Sequence, residues 1–375
     1  MTQPNNFGFG EEAALLKESA RKFFSEHFGA DRLHALVAAE HDPERVPACQ
    51  WDRELWQQMV DLGWTLLAVP ESAGGVGMPV AAVAGLVEEV GRAAFPCPLL
   101  STLATTYVLG ACGEAGSEAL AEIAEGQAAT LVLANRQGDQ RPGDSEVEYR
   151  DGALYGTGWF VQELGKVDRL LVCARHSGGL GLYWVDKSAQ GVSCHADAIV
   201  DLTRDQGHVD FQGAAATAVA DNALPALDRA MPAVWSLLAA DMVGAGEWLL
   251  QTTVEYVNTR KQFDHTLGFF QAVKHPLVNV MIQIDEAKSL VYNAACACDT
   301  EVEKAGQYAH MAKASASDMA AFASSRAVQY HGGIGFTWEC YVHLYFKRQK
   351  HSQMLWGDAR WHRAQLAELL LGSAA

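Results

Sequence analysis

The 375-residue chain is short of positive charge: 28 lysines and arginines stand against 45 aspartates and glutamates, for a formal net charge of -17. That balance argues against nonspecific binding to nucleic acid or to an anionic membrane, both of which need a basic face. A single cleft can still gather cations for a phosphorylated ligand. Paired cysteine motifs are lacking as well. The eight cysteines (Cys49, Cys97, Cys112, Cys173, Cys194, Cys296, Cys298, Cys340) are scattered without CxxC or metal spacing, and Cys296 and Cys298 point to different sides of a helix. Reduced thiols in a cytoplasmic protein are the expectation. No apolar stretch reaches ~18 residues without a charge, so no membrane span is expected. The opening MTQPNNFGFGEEAALL has no basic start followed by an apolar run, so no signal peptide is expected. No internal repeat or low-complexity segment is visible.

What is present is apolar and patterned. Hydrophobic residues make up 49% and charged residues 19% of the chain, enough for a large core, and the length suggests two or three domains. Residues 11–28 space Leu15, Leu16, Ala20, Phe23, Phe24 and Phe28 as one helical face. DRELWQQMVDLGW and PVAAVAGLVEEVGRAAF read as further helices. Between them LLAVPESAGGVGMP carries too many prolines and glycines for a regular helix. It lacks the Lys-Ser/Thr and the strand–glycine–helix frame of a phosphate loop, so a plain connection is the simpler reading. From about residue 127, short β-branched and aromatic runs alternate with Asp-Gly and Gly-Gly turns, the pattern of an antiparallel sheet that ends near PALDRAMP. After Pro232 long helices return, the last of them stopped by Gly332-Gly333. The order predicts three domains, at residues 1–120, 121–224 and 225–375.

Three stretches could carry chemistry. Asp241 is the one ionisable group in MPAVWSLLAADMVGAG; burial would push its pKa toward neutrality, as a general base requires, whereas an Asp bonded to a neighbouring helix explains it equally well. In QYHGGIGFTWE, Gly332 and Gly333 leave backbone open to a pyrophosphate or ring, Gln329 precedes them, and Thr337 would cap the next helix; a helix end followed by a turn is the plainer account. In RKQFDHTLGFFQAVKH, Arg260 offers a fork for phosphate, and Phe263 and Phe270 offer aromatic faces. Alone, that stretch reads as a helix end with core phenylalanines.

Together and in this order, the segments LGW...VPESAGGVGMP, LVEEVGRAAFPCPLL, GWFVQ, RKQFDHTLGFFQAVKH and QYHGGIGFTWE resemble the acyl-CoA dehydrogenase family over nearly the whole chain. The resemblance implies an α+β multi-domain fold: an N-terminal helical domain, a central antiparallel β-domain and a C-terminal four-helix bundle, with FAD gripped between subunits of a dimer or tetramer. It implies that Arg260, Gln262, Phe263 and Gln271, with Gln329, Gly332 and Gly333, hold the pyrophosphate and adenine part of a neighbour's FAD. Trp159 matches the tryptophan set against the flavin, although Val161 stands where the family usually has a threonine. The implied reaction is α,β-dehydrogenation of an acyl-CoA thioester, with an electron-transfer flavoprotein as acceptor.

The family's glutamate base is missing from both of its usual places. One reads LWGDARWHRAQ, with Gly357 and Asp358, and the other falls near Val234. Asp241, almost two turns after Val234, is the first candidate base and Asp358 the second; Glu247 points away. The ending FTWECYVHLYFKRQK is similar to a bacterial branch acting on steroid side chains and other bulky acyl groups, whose members often pair as unlike subunits. A noncatalytic partner subunit that completes a shared FAD site is therefore the alternative, and an oxidase on the same fold a third.

Overall fold

The computed structural model describes residues 3–38, 50–138 and 144–372; Cys49 lies outside them. Helices α1 (Glu11–His27), α2 (Ala30–Ala38), α3 (Arg53–Asp61), α4 (Val80–Ala93), α5 (Leu99–Ala111) and α6 (Ser117–Ala124) form the first unit. Asp52 caps α3 by accepting from the Leu55 amide, and Ala94 ends α4 in the left-handed region at φ 48°. The glycine-rich connection before α4 is a single short 3-10 turn, Glu71–Ala73. The predicted boundary at residue 120 falls inside α6, which runs on to Ala124.

The sheet domain holds β1 (Ala129–Val132), β2 (Glu148–Arg150), β3 (Ala153–Gln162), β4 (Arg169–His176), β5 (Gly179–Asp186), β6 (Val192–Ala196), β7 (Gln206–Ala215) and β8 (Thr217–Ala220). Its path is β6-β7-β3-β2-β4-β5-β8, largely antiparallel as expected, but β1 lies parallel to β4 in the register Ala129 to Arg169. A strand entering from α6 rather than from a hairpin is free to pair in that direction.

The first helix of the second helical unit starts before Pro232. Helix α7 (Leu224–Thr259) runs 36 residues straight through Pro232, where the sequence reading had the helices restart. Pro225 sits in the first turn, where its missing N–H costs nothing, and the burial of most of the first half outweighs the hydrogen bond lost at Pro232. This helix is long and apolar enough to cross a bilayer, but 78% of its most apolar stretch is buried inside the protein. A hairpin of β9 (Lys261–Gln262) and β10 (His265–Thr266) follows, then α8 (Gln271–Thr300), α9 (Val302–His331), α10 (Val342–Met354) and α11 (Ala359–Leu371). Thr337 does not cap α10: its hydroxyl donates to the Ile334 carbonyl, and Tyr341 precedes the helix.

Two contacts lock the units together. A Cβ on Gly91 of α4 would lie 2.1 Å from the Asp241 carbonyl oxygen, and one on Gly244 of α7 would lie 1.8 Å from that of Glu88, so the two helices touch backbone to backbone. Glu88, fully buried, accepts from Lys288 of α8 at 2.8 Å and from the Tyr292 hydroxyl at 2.7 Å, and pairs with Lys17 of α1 at 2.6 Å. An unpaired carboxylate there would be costly; three partners remove the cost.

Candidate active site and cofactor surface

Asp241 lies where α7 meets the sheet domain and α10, 1% exposed. Its Oδ1 accepts from Arg348 Nη2 at 2.5 Å, and its Oδ2 from Arg204 Nη2 at 2.8 Å and Arg348 Nε at 3.3 Å. Arg348 also donates to Thr203 Oγ1 at 2.9 Å, and Arg204 to Ser352 Oγ at 3.4 Å. Burial alone would raise the Asp241 pKa, but the charges and hydrogen bonds of Arg348 and Arg204 outweigh it and hold the carboxyl below the usual range. The expectation of a pKa near neutrality is therefore overturned, because the buried carboxylate has two guanidinium partners. Oriented to both and ionised, it is poorly suited to take a proton.

The second candidate is also engaged. Asp358 caps α11, accepting from the Trp361 amide at 2.7 Å. Just before it, Trp356 adopts φ 54° and Gly357 φ 102°, and the turn is pinned from below by Lys313, whose ammonium donates to the Gly357 carbonyl at 2.9 Å and the Gln353 carbonyl at 3.2 Å. Burial lowers the Lys313 pKa to about 7. Val234 is fully buried, and Glu247 bonds Lys288 at 2.7 Å.

A cavity of about 580 Å³ opens between the sheet and α10, within the usual size of a small-molecule site. Trp159 and Trp356 line it. The β3–β7 register slips between Gly158 and Val161, and such a bulge re-aims side chains. The Trp159 indole is held by Glu146 Oε2, which accepts from Nε1 at 2.9 Å, and stacks on His208 with centroids 4.9 Å apart. Val161, in place of the family's threonine, is buried and offers no hydroxyl.

The other sequence-predicted residues gather elsewhere, on one exposed edge. Arg260 ends α7, Gln262 lies in β9, Gln271 starts α8, and Gln329 with Gly332 and Gly333 closes α9; all are exposed. Tyr256 stacks on His331 at 4.3 Å and the Tyr330 hydroxyl reaches the Ala272 carbonyl at 3.5 Å, which brings the two motifs side by side. Phe263 is 85% exposed and held with Asp264 in the left-handed region, φ 53° and 61°. Two positive φ values suit a two-residue hairpin turn, but a phenylalanine pays for one in strain. A Cβ on Gly332 or Gly333 would meet nothing within 4 Å. The Arg260 guanidinium, unpaired among the described residues, with uncovered glycine backbone and exposed aromatic rings at Phe263, Phe269 and Phe336, fits the phosphates and adenine of a dinucleotide.

A fold of helices, sheet and helix bundle, with these two motifs on one edge, is the arrangement that the sequence resemblance implies. Residues 10–124 match the acyl-CoA dehydrogenase N-terminal domain and residues 236–371 the acyl-CoA dehydrogenase C-terminal domain. The chain is 32% identical over 346 residues to "Acyl-CoA dehydrogenase IpdE2" of Mycobacterium tuberculosis, covering 92% of this chain and 93% of that one. It also resembles "Acyl-CoA dehydrogenase FadE27" of the same organism, 30% identical over 87% of this chain and 90% of that one. Among solved structures, the "Tcur3481-Tcur3483 steroid ACAD" superposes with TM-score 0.84 at 27% identity, covering 96% of this chain and 98% of the other. The chain belongs to the acyl-CoA dehydrogenase family.

Sequence reasoning missed Arg204 and Arg348. A signal existed for the arginines: a lone Asp in an apolar helix calls for a counter-charge, and Arg348 lies in FKRQK, directly after the apolar VHLYF.

Proposed function

We propose that this chain is a subunit of a flavin-dependent acyl-CoA dehydrogenase acting on a bulky, steroid-derived CoA thioester. In this reading it completes a shared FAD site, and a partner chain removes the α-proton. The observation that carries the reading is the engagement of both nominated carboxylates, Asp241 between two arginines and Asp358 at a helix cap, with Trp356 directly before Gly357. The likeness to the Tcur3481-Tcur3483 steroid ACAD supports the substrate class and the unlike-subunit assembly.

In this reading Arg260 and Gln262 bind the pyrophosphate, Phe263 packs on the adenine with Gln271 beside it, and Gln329, Gly332 and Gly333 admit the dinucleotide to the main chain. Bound FAD would take hydride from the thioester β-carbon, and an electron-transfer flavoprotein would carry the electrons onward. The test is an anaerobic visible spectrum of the protein expressed alone, before and after short, branched and steroid acyl-CoA thioesters. No bleaching is expected. Flavin that bleaches in the isolated protein would overturn the division of labour and restore a self-sufficient dehydrogenase.

A further inference from the structure

Asp201 and His351 both line the cavity between the sheet and α10. Asp201 is 2% exposed; its Oδ1 accepts from the Thr203 amide and hydroxyl, both at 2.8 Å, while its buried Oδ2 makes no hydrogen bond among the described residues. Arg204 Nε and His351 Nδ1 each stand 3.9 Å from that oxygen, too far for a hydrogen bond.

The protonation of His351 is fixed by its neighbours. Gln162 Nε2 donates to the Phe160 carbonyl at 3.0 Å and to Gln206 Oε1 at 2.9 Å, which turns Gln162 Oε1 toward His351 Nε2 at 2.9 Å. Nε2 therefore carries the proton and donates. Burial lowers the pKa of His351 to about 4, so the ring is neutral near pH 7 and Nδ1 is an acceptor. Two acceptors thus face each other across 3.9 Å; the Asp201 oxygen is buried and unbonded among the described residues, and Arg204 Nε, also unbonded, stands 3.9 Å from it on another side. A buried acceptor left unmade is expensive, and a bound N–H or O–H group removes the expense.

We infer that Asp201 Oδ2 and His351 Nδ1 form an accepting niche that holds an N–H or O–H group of a fused-ring ligand bound in this cavity. The ring system follows from the walls, where Trp159, Phe160 and Trp356 supply flat faces and Lys347 and Lys350 suit a phosphate-bearing tail. Two ligands share that chemistry: the flavin of FAD, through its imide N–H, and the acyl part of a ring-hydroxylated CoA thioester. This choice of probes rests on the cofactor and thioester reading above.

The test compares wild type, Asp201→Asn and His351→Gln as full-length proteins. Asparagine keeps the Oδ1 contacts to Thr203 and turns Oδ2 into a donor; glutamine keeps a donor near Gln162 and removes the Nδ1 acceptor. Dissociation constants are measured for FAD by flavin fluorescence quenching, and for a fused-ring CoA thioester with and without a ring hydroxyl by calorimetry. Both variants should weaken one probe about tenfold. Loss on FAD identifies the flavin as occupant; loss confined to the hydroxylated thioester identifies the acyl group. Wild-type affinity in both variants for every probe overturns the niche alone and leaves it a water site. A wild-type protein that binds no probe by itself overturns the niche, while the shared-site reading, which puts part of the cofactor site on a partner chain, stands.

Discussion

The Asp241 junction and the edge formed by residues 260–271 and 329–336 are built from the same materials, arginines, polar side chains and aromatic rings, in opposite conditions. At the junction each arginine has a carboxylate partner, and the Asp241 carboxylate is 1% exposed and fully bonded. At the edge Arg260 is exposed, Phe263 presents 85% of its surface and sits in a strained conformation, and the glycines face open space. The junction makes sense within one chain. The edge keeps strain and aromatic surface in the open, which supports the proposal that a ligand or partner is laid against it.

The largest effect should come from breaking the junction. Asp241→Asn leaves two buried guanidiniums without their charge partner, and the loss should be about 3–5 kcal/mol in urea unfolding. A variant with wild-type stability would break the contrast, since Asp241 would then not be the structural charge described. Next, Gly91→Ala drives a methyl group toward the Asp241 carbonyl; overpacking of this kind costs about 1–3 kcal/mol against a helix-propensity gain below about 1 kcal/mol. The melting temperature should fall, and a rise would show that the α4–α7 contact can relax.

Acid should sharpen the comparison. His310, His343 and His351 are held down to about 4 and His362 to about 2, mainly by burial. Their unfolded forms bind protons first, so the stability they contribute is present above pH ~6.5 and lost as pH falls toward 4. Glu163, raised by burial to about 8, and Asp299, also raised by burial, work the other way, but they are two carboxyls against five histidines, since burial lowers His331 as well. Asp241, with its lowered pKa, contributes above the ordinary carboxylate range near pH ~4 and loses its contribution only as pH falls through its own depressed value. Unfolding free energy should therefore decline between pH 6.5 and 4 in wild type. A flat profile there would sink the assignment of neutral buried histidines. The smallest change in stability belongs to the edge: Arg260→Ala should stay within about 0.5 kcal/mol of wild type while weakening FAD binding about tenfold or more, read by fluorescence quenching. Unchanged affinity would remove Arg260 from the cofactor surface.

The edge was legible in sequence because its signals are contiguous. Arg260, Gln262 and Phe263 lie within four residues, and Gly332 and Gly333 are adjacent, so a motif reading finds them without knowing the fold. The helical and β order was legible for the same reason, since periodicity is local. The junction was not. Arg204 and Arg348 are 37 and 107 residues from Asp241, and nothing local says that their guanidiniums converge on it. Desolvation, the one effect readable from an apolar helix, pointed the Asp241 pKa the wrong way. Pro232 misled similarly, because a local helix breaker was overridden by burial contributed from distant elements.

Three segments meet at Asp241: the residues before β7 through Arg204, α7 through Asp241 itself, and α10 through Arg348. Replacing Asp241 alone takes from two buried guanidiniums the carboxylate they share, and replacing one arginine leaves that carboxylate with a single partner, whereas replacing all three by packed apolar groups need not destabilise the fold. The three positions therefore form one unit of heritable change. Lineages of this chain should either keep the whole triad or exchange it together, and a descendant that regained a free base at position 241 would first have to shed both arginines.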